Sequence, residues 1–502
     1  MKTEEKASVT NIVAESASTR ESTPREGRKS ESAGWRVGRR PERRGGRRVG
    51  YWLSAACLVV LLVGWGAREC AGQAAQAQPG ASTSNSAQPG ATPSSGTETQ
   101  AYTLPPEKRE KAIELSRIRN TLDIAESDVS LVLVWLFLAL RGAAFLECRA
   151  IHLSRHRWVQ GLAFFAALFV LSALASLPFD MIGHHYSRAF GISVEGWGPW
   201  FLDIGKALGL TILLGAPVLL LFNWIVKRWP GRYWFGIWLV TIPLLLLSVF
   251  GSPFLEPIFD KFEPLAKDHA GLVADLEKLV ARTGTQIPPE RMFLMKASEK
   301  TNGLNAYVSG LGATKRIVVW DTTAGRIPND EVLFIFGHES GHYVLHHLPK
   351  QMAGFAIFFF FLFWGCARLA EWMARRTSGR WLRRGDEANP NPLATRAGFV
   401  ILLFAISIAD FVATPLTNAF IRHFEHEADA YGQEAIHGLV PDPQKTAVAA
   451  FNALGEAWLE DPDPSPLIEF WLYDHPSVKN RANFARQYDP WKNGGRGKFF
   501  AQ

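Results

Sequence analysis

The chain has 502 residues, of which 47% are hydrophobic, and a net charge of +7. That length would ordinarily indicate several soluble domains, but the apolar residues are concentrated in long blocks. The basic residues lie in the N-terminal tail and in short loops between those blocks. This placement is typical of membrane topology and lipid contact, so we expect no nucleic-acid partner. The four cysteines lack the number and spacing of a disulfide framework or a zinc–thiolate site.

Seven apolar runs along the chain are candidates for crossing a lipid bilayer. They are residues 51–67, 130–148, 158–178, 203–226, 233–251, 354–372 and 396–418. A helix needs about 20 predominantly apolar residues to span the hydrocarbon core, and its backbone polar groups must pair internally there. The sequence therefore predicts a mainly α-helical, multi-pass membrane protein with the lipid bilayer as a partner.

The N-terminal part of the chain is polar around its first apolar run. Residues 1–50 form a basic tail that we expect to be disordered, because it has almost no large apolar groups. The run 51–67 fits either a signal peptide or a retained first span, and the unusually long basic region before it favours a retained span. A Pro/Ser/Gly-rich linker and a charged amphipathic helix, the latter at about 107–128, make up residues 68–128.

Beyond this linker, membrane and soluble parts alternate. Four transmembrane helices are predicted in 129–251 and two more in 354–418. A soluble α+β domain is predicted in 252–353, and a second soluble region in 419–502. We expect the α+β domain to carry the chemistry, because it holds the most informative motif of the chain.

Local patterns predict the order of elements inside the domain 252–353. A helix is expected at about 266–283, and three short strands follow at 291–297, 304–309 and 315–320. After the strands comes the run EVLFIFGHESGHYVLHH, which has no proline and has helical apolar spacing. The sequence therefore predicts strands followed by a helix that carries this motif.

The pentapeptide HESGH is a His-Glu-x-x-His box that begins at His338. His338 and His342 are four positions apart, so on a helix both rings lie on one face and can reach a single cation. Glu339 is placed to take the proton of a water activated by the metal rather than to bind the metal itself. The box therefore indicates a zinc-dependent hydrolase.

A catalytic zinc ion needs three protein ligands and one open position. The best candidate for the third ligand is Glu425, because its segment continues the last apolar run without a helix breaker. Asp429 lies one helical turn further on the same face, where it could hydrogen-bond a ligand imidazole and fix its tautomer. On spacing alone, three other residues would also serve as the ligand: His423, His426 and Glu427.

Several stretches together resemble the integral-membrane zinc peptidases of the type I CAAX prenyl protease family. They are HESGH, FEHEADAYG, LNAYVSG ahead of RIVVWDT, and DHPSVKNR. The resemblance covers about residues 100–490. It implies about seven transmembrane helices that enclose a water-filled chamber, and a gluzincin-like α+β peptidase domain with one zinc ion per chain. The polar residues expected to line the chamber are Asp203, Lys206, Asp410 and Thr414.

The same resemblance implies roles for individual residues. Glu425 corresponds to the third zinc ligand, and Asp429 to the acid of the same motif. His475 and Arg481 correspond to groups that bind substrate or the transition state, with His475 the natural donor to the developing oxyanion. The edge strand on which an extended peptide substrate would lie corresponds to Asn305, Ala306 and Tyr307.

Some of these roles have structural alternatives. His475 could cap a loop, and Arg481 could support the site as an ion-pair partner of Glu425 or Asp429. His346 and His347 are predicted to extend the helix of the box. For His347, packing or chamber lining is favoured over metal binding.

Lys and Arg mark the cytoplasmic side of a membrane protein. They cluster before the first span and in 149–157, 227–232 and 368–396, which lie on one side if there are seven spans. The catalytic side would then be external or periplasmic, and the composition suggests a bacterial inner membrane. This differs from the eukaryotic family members, whose zinc domain faces the cytosol.

We therefore expect an endopeptidase acting on membrane-associated or misfolded polypeptides, with CAAX-type peptides as surrogate substrates. Regulatory or signal-derived peptides remain an alternative substrate class. The alternative outside enzymology is a membrane chaperone or scaffold that kept the fold. It is disfavoured because the base Glu339 and all three candidate ligands are present.

Overall fold

The computed structural model describes residues 100–310, 312–382 and 391–500. The basic tail and the predicted span 51–67 lie outside the described residues. The described part is mainly helical, with one small sheet.

Among the described residues, four helices are long and apolar enough to cross a membrane. They are α3 (Arg157–Ala189), α4 (Trp197–Arg228), α9 (His347–Trp381) and α10 (Arg396–Ala435). Two bent segments raise the number of spans to six if each is counted as one. The predicted multi-pass α-helical fold is thus confirmed, and six of the predicted apolar runs coincide with these segments.

The two bent segments lie at the start and end of the N-terminal membrane region. The helices α1 (Pro106–Ala139) and α2 (Gly142–Leu153) meet at 63°, and the chain turns at Arg141, whose φ is 63°. The helix α5 (Tyr233–Leu255) bends by 46° after Ser248. The amphipathic helix predicted at 107–128 is therefore the first part of α1, continuous with the segment that enters the membrane region.

A buried carboxylate from α2 fixes the N-terminal end of α10. The carboxylate of Glu147 on α2 accepts hydrogen bonds from the backbone N–H groups of Arg396 and Ala397, each at 3.1 Å. Thr395 caps the same end by accepting from the N–H of Gly398 at 2.9 Å. A negative charge at a helix N-terminus stabilises it, because the unpaired N–H groups there are partly positive. The start of α10 is therefore stabilised by a side chain from another helix, α2.

The sheet contains four strands in the order β1–β2–β4–β3. They are β1 (Phe262–Pro264), β2 (Met292–Met295), β3 (Ala306–Ser309) and β4 (Arg316–Trp320). The central pair β2–β4 is parallel, and the two outer pairs are antiparallel. Because β4 inserts between β2 and β3, β3 lies at an edge of the sheet.

The described soluble part contains six further α-helices. They are α6 (Ala270–Thr283), α7 (Asp321–Ala324), α8 (Asn329–Val344), α11 (Pro443–Trp458), α12 (Pro466–Leu472) and α13 (Val478–Gln487). Ile317 and Val319 of β4 share one buried apolar cluster with Val332 of α8. In that cluster the ring of Phe334 meets the ring of Phe451 edge-on, with centroids 5.1 Å apart. The helix of the box is thereby buried between the sheet and α11.

The prediction that His346 and His347 extend the helix of the box was wrong. The helix α8 ends at Val344, His346 has a φ of 56°, and a new helix begins at His347. Pro349 explains the break. A proline is tolerated in the first turn of a helix, but in the interior it removes a hydrogen bond and clashes with the carbonyl four residues earlier.

Candidate metal centre

Two glycines let the helices α8 and α10 approach closely. A Cβ atom at Gly432 would lie 2.7 Å from the backbone nitrogen of His338, and one at Gly337 would lie 3.0 Å from the carbonyl oxygen of Gly432. No larger residue fits at Gly432 without moving the backbone. This contact brings the face of α10 that carries Glu425 against the box.

The structure brings His338, His342 and Glu425 together, with one ligand atom of each within 4.8 Å of the others. The Nε2 atoms of His338 and His342 are 3.1 Å apart. The Glu425 carboxylate lies 3.3 Å from Nε2 of His338 and 3.5 Å from Nε2 of His342. His338 and Glu425 are buried, and His342 is partly exposed. The three donors therefore converge at the border between protein and solvent.

This donor set fits a tetrahedral divalent cation. Bonds of about 2.0–2.1 Å from a tetrahedral ion place neighbouring ligand atoms about 3.3 Å apart. The two Nε2 atoms are 3.1 Å apart, and each lies 3.3 or 3.5 Å from a different oxygen of the Glu425 carboxylate, so all three side chains can reach one ion. Without a cation, two imidazole nitrogens and a carboxylate would face each other at close range. Two imidazoles and one carboxylate form a set that zinc uses in hydrolases.

Asp429 and Arg481 support His338 on the Nδ1 side of its ring, opposite the nitrogen that faces the other donors. Nδ1 of His338 lies 2.8 Å from the Asp429 carboxylate, so the ring donates there and Nε2 is free to bind a cation. The guanidinium of Arg481 donates to both oxygens of Asp429, at 2.6 and 3.0 Å. Burial disfavours a charge on His338, but the hydrogen bonds to Asp429 and Glu425 outweigh it and raise its pKa to about 9. The acceptors around this ring therefore stabilise positive charge at Nε2, whether a proton or a metal cation in its place.

His347 supports the second imidazole. Its Nδ1 lies 3.1 Å from Nδ1 of His342, and its side chain is fully buried. Its Nε2 lies 3.5 Å from Glu427, which pairs in turn with Lys498 at 3.2 Å. Burial and the neighbouring His338 lower the pKa of His342 to about 3, which keeps that ring neutral.

Sequence reasoning gave His347 a packing role and missed this contact with a candidate ligand. Helical spacing could not have found it, because the chain breaks at His346 before His347 turns back toward His342. The signals in the sequence were a further histidine close to the box and Pro349 just after it.

Glu339 and His475 flank the three donors. Glu339 is partly buried, and burial raises the pKa of its carboxyl above the ordinary value. Nε2 of His475 lies 3.1 Å from the Glu425 carboxylate, and its Nδ1 lies 2.9 Å from Asp474. Burial alone would lower the pKa of His475, but Glu425 and Asp474 raise it well above the ordinary value. The centre thus has a carboxyl suited to accept a proton and a cationic donor beside it.

The alternative ligands lie elsewhere. In the part of the chain that the structure describes, the three-donor group contains none of the other candidates. The His426 ring packs on Phe484 with centroids 4.3 Å apart, and the His423 ring is 5.4 Å from that of Phe424. Glu427 points to His347 instead.

The predicted substrate strand is close to the box. Ala306 and Tyr307 belong to β3, and Asn305 precedes it, with its N–H donating to Oγ1 of Thr323 at 2.7 Å. No described strand pairs with the outer edge of β3. The hydroxyl of Tyr343 on α8 donates to the carbonyl oxygen of Gly310 at 2.7 Å, which ties the end of this strand to the helix of the box. An unpaired backbone edge is therefore held beside the metal donors.

Tyr307 and Asp203 have specific partners away from the donor group. The Tyr307 hydroxyl donates to Glu256 at 2.9 Å, so its side chain is held toward the end of α5. Asp203 pairs with Lys206 at 2.9 Å and with Lys300 at 2.6 Å. The Asp203–Lys300 pair joins α4 to the loop that precedes β3.

The comparisons assign the helices of bilayer length and the cluster of two imidazoles and a carboxylate to a class of membrane metallopeptidases. A family model described as CAAX prenyl protease N-terminal, five membrane helices, matches residues 94–261, and the model of peptidase family M48 matches residues 267–489. The chain belongs to peptidase family M48 and resembles its CAAX prenyl protease members. The resemblance predicted from the sequence is confirmed.

Individual relatives cover most of the described region. The chain is 31% identical over 334 residues to the uncharacterized metalloprotease YhfN of Bacillus subtilis strain 168, covering 66% of this chain and 74% of the relative. It is 28% identical to CAAX prenyl protease 1 of Saccharomyces cerevisiae, covering 64% of this chain and 71% of the relative. The crystal structure of Ste24p from S. mikatae has a similar fold, with a TM-score of 0.63 at 23% identity over 77% of this chain and 91% of that one.

Proposed function

We propose that the chain is a zinc-dependent endopeptidase that cleaves membrane-associated polypeptides, with Glu339 as general base. The convergence of His338, His342 and Glu425 carries this proposal, because its separations suit one tetrahedral cation. Asp429 and His347 support it, since each contacts the Nδ1 atom of one candidate ligand imidazole.

The residues around the donor set suit the steps of amide hydrolysis. When bound, zinc would polarise the scissile carbonyl and make a water molecule more acidic. Glu339 accepts the proton of the attacking water and passes it to the leaving amine, a task for which its raised pKa suits it. His475 donates to the oxyanion that develops on the carbonyl. Arg481 acts through Asp429, because its Nε and Nη2 atoms both donate to that carboxylate.

The substrate is proposed to be an extended peptide. Its backbone would pair with the free edge of β3, as peptides do when they add a strand to a sheet. Pairing of this kind uses the N–H and C=O groups that every peptide carries. We infer that chains lacking a stable fold near the membrane are the substrates, with CAAX-type peptides as laboratory surrogates.

Metal analysis tests the cofactor. We expect about one zinc per chain in the purified full-length protein, loss of peptidase activity after chelation, and recovery on adding zinc back. Peptide hydrolysis and metal content are measured on the same samples. A protein that holds no metal and does not cleave would instead favour the chaperone or scaffold alternative, whereas cleavage that survives chelation would contradict the zinc dependence.

Topology is proposed from the distribution of basic residues. Lys227 and Arg228 lie in the last turn of α4, away from the sheet, and further arginines end α9. With the positive side cytoplasmic, the metal centre faces the periplasm of a bacterial inner membrane. We expect a tag after Gln502 to be digested by protease added to cells with permeabilised outer membranes, while a tag in the 383–390 segment stays protected. A shielded C-terminal tag would contradict this orientation.

A variant of His347 tests its support of His342. His347→Phe keeps a ring but removes the acceptor for Nδ1–H of His342, so we expect metal affinity to fall about 10–100-fold. His347→Asn keeps an acceptor near the position of Nδ1 and should lose less. Competition with a chromogenic chelator measures both affinities. Equal affinities for the two variants would show that His347 only fills space.

A further inference from the structure

The short helix α12 carries an exposed apolar face. Leu467 and Phe470 lie three positions apart, and hence on one side of the helix, with 67% and 44% of their surfaces exposed. Glu469 lies on the other side, where its carboxylate accepts from the N–H of Ser477 at 2.9 Å and from the Asn480 amide at 2.8 Å. The helix is therefore amphipathic, with its polar side turned toward α13.

Three hydrogen bonds and a ring contact fasten α12 to the membrane helix α10. The Asn418 amide donates to the carbonyl oxygen of Trp471 at 2.8 Å, and the rings of Phe411 and Trp471 are 5.7 Å apart. The guanidinium of Arg422 donates to the carbonyl oxygens of Glu469, at 3.1 Å, and Tyr473. The position of α12 along α10 is thereby fixed.

That position falls at the far boundary of the hydrocarbon layer. Phe411 lies fifteen residues beyond Arg396 on a continuous helix, which at 1.5 Å per residue is about 22 Å. Asn418 lies about 33 Å from the same point. The hydrocarbon core of a bilayer is about 30 Å thick. With the charged residue Arg396, at the start of α10, taken as one edge of this core, α12 meets α10 where acyl chains give way to headgroups. Trp471 lies where tryptophan is enriched in membrane proteins.

The exposed side of α10 at this depth is apolar. Val412 and Leu416 are 62% and 64% exposed. Asp410 lies two positions before Val412, and Thr414 lies two positions before Leu416. Two positions correspond to about 200° around a helix, so these polar residues are on the opposite face. A segregation of this kind is expected when one face meets lipid and the other faces the interior of a bundle.

We propose that α12 is an interfacial helix whose Leu467 and Phe470 insert among the acyl chains of the leaflet next to the metal centre. This insertion holds the segment that bears His475. The segment begins at Tyr473, which Arg422 binds, and closes at Ser477, which Glu469 binds. Lipid contact thus helps to set the distance between His475 and Glu425. This second step rests on the proposed function, whereas the insertion itself does not.

Depth-dependent quenching tests the insertion. Single cysteines at Leu467, Val412 and Lys445 are labelled with an environment-sensitive fluorophore in full-length protein whose native cysteines are replaced by alanine. The protein is reconstituted in phosphatidylcholine vesicles. We expect the label at Leu467 to be quenched by spin-labelled lipid, like the label at Val412, and protected from iodide. The label at Lys445, whose side chain is 87% exposed, should show the reverse.

Quenching of the Leu467 label by iodide to the extent seen at Lys445 would overturn the insertion. Protection from both quenchers would overturn it too, because it would mean that protein covers the helix. Neither result depends on peptidase activity.

A double variant tests the link to His475. We expect Leu467→Gln with Phe470→Gln to lower kcat/KM several-fold in vesicles while zinc content stays unchanged, and Lys445→Gln to have no effect. The difference should shrink in detergent micelles, which lack a fixed interface. Unchanged kcat/KM in vesicles would refute the link, and loss of all activity in the parent protein would refute the proposed function instead.

Discussion

Glu339→Gln is expected to abolish most peptidase activity while the protein keeps its metal. Glutamine has nearly the same volume as glutamate but cannot accept a proton, so the proton-transfer step loses its base. General bases contribute about 10²–10⁴-fold to rates, and we expect kcat/KM to fall by that order. Hydrolysis of a quenched fluorescent peptide and zinc analysis of the same preparation give the two readouts.

The matched control for this variant is Glu331→Gln on the same helix. Glu331 is two turns earlier, and burial raises the pKa of its carboxyl, so a neutral amide is tolerated there. It should retain near-normal activity. Substantial cleavage by the Glu339 variant would remove the proposed mechanism, whereas loss of zinc would show that this residue holds the site together.

Glu425→Ala is expected to remove the metal as well as the activity. The variant leaves two imidazoles for a cation that needs three protein ligands. We expect the loss of affinity to exceed the 10–100-fold typical for partners outside the coordination sphere. Zinc content after dialysis, and affinity in competition with a chelator, measure the effect.

His423→Ala is the appropriate control because His423 lies on the same helix, two residues earlier, and was an alternative ligand on spacing alone. Its ring packs beside Phe424 in the structure. It should keep its zinc. If His423→Ala lost the metal and Glu425→Ala retained it, the donor set described above would be wrong.

The box was accessible from the sequence because it depends only on helix geometry. A spacing of four places His338 and His342 on one face whatever the rest of the chain does. The third donor could not be identified from helix geometry alone. His423, Glu425 and His426 lie within one turn, and the sequence does not tell which face of α10 meets α8. That face is selected by Gly432, which packs on the backbone of His338, a contact between helices far apart in sequence.

For the sheet too, the sequence predicted local features but not long-range ones. Local alternation and apolar runs predicted three strands at nearly the observed positions, because each depends on adjacent residues. Strand order is a long-range property. The sequence did not predict the parallel pairing of β2 with β4, and the edge position of β3 was inferred only from the resemblance to a known family.

The break after Val344 was missed because its cause lies beyond the apolar pattern. The periodicity of α8 continues into the next residues, and two histidines do not mark a helix end. Pro349 was the available signal. The break turns His347 back onto His342, so the misplaced helix end also concealed a residue of the site.

The shortness of β3 bears on selectivity. Its four residues form an edge about 13 Å long. An edge of this length can pair with only a few residues of a peptide substrate. Proteins whose strands are already hydrogen-bonded within their own sheets cannot present such a stretch. Pairing with the edge of β3 would then select polypeptides by whether they are unfolded, and only weakly by their amino-acid sequence.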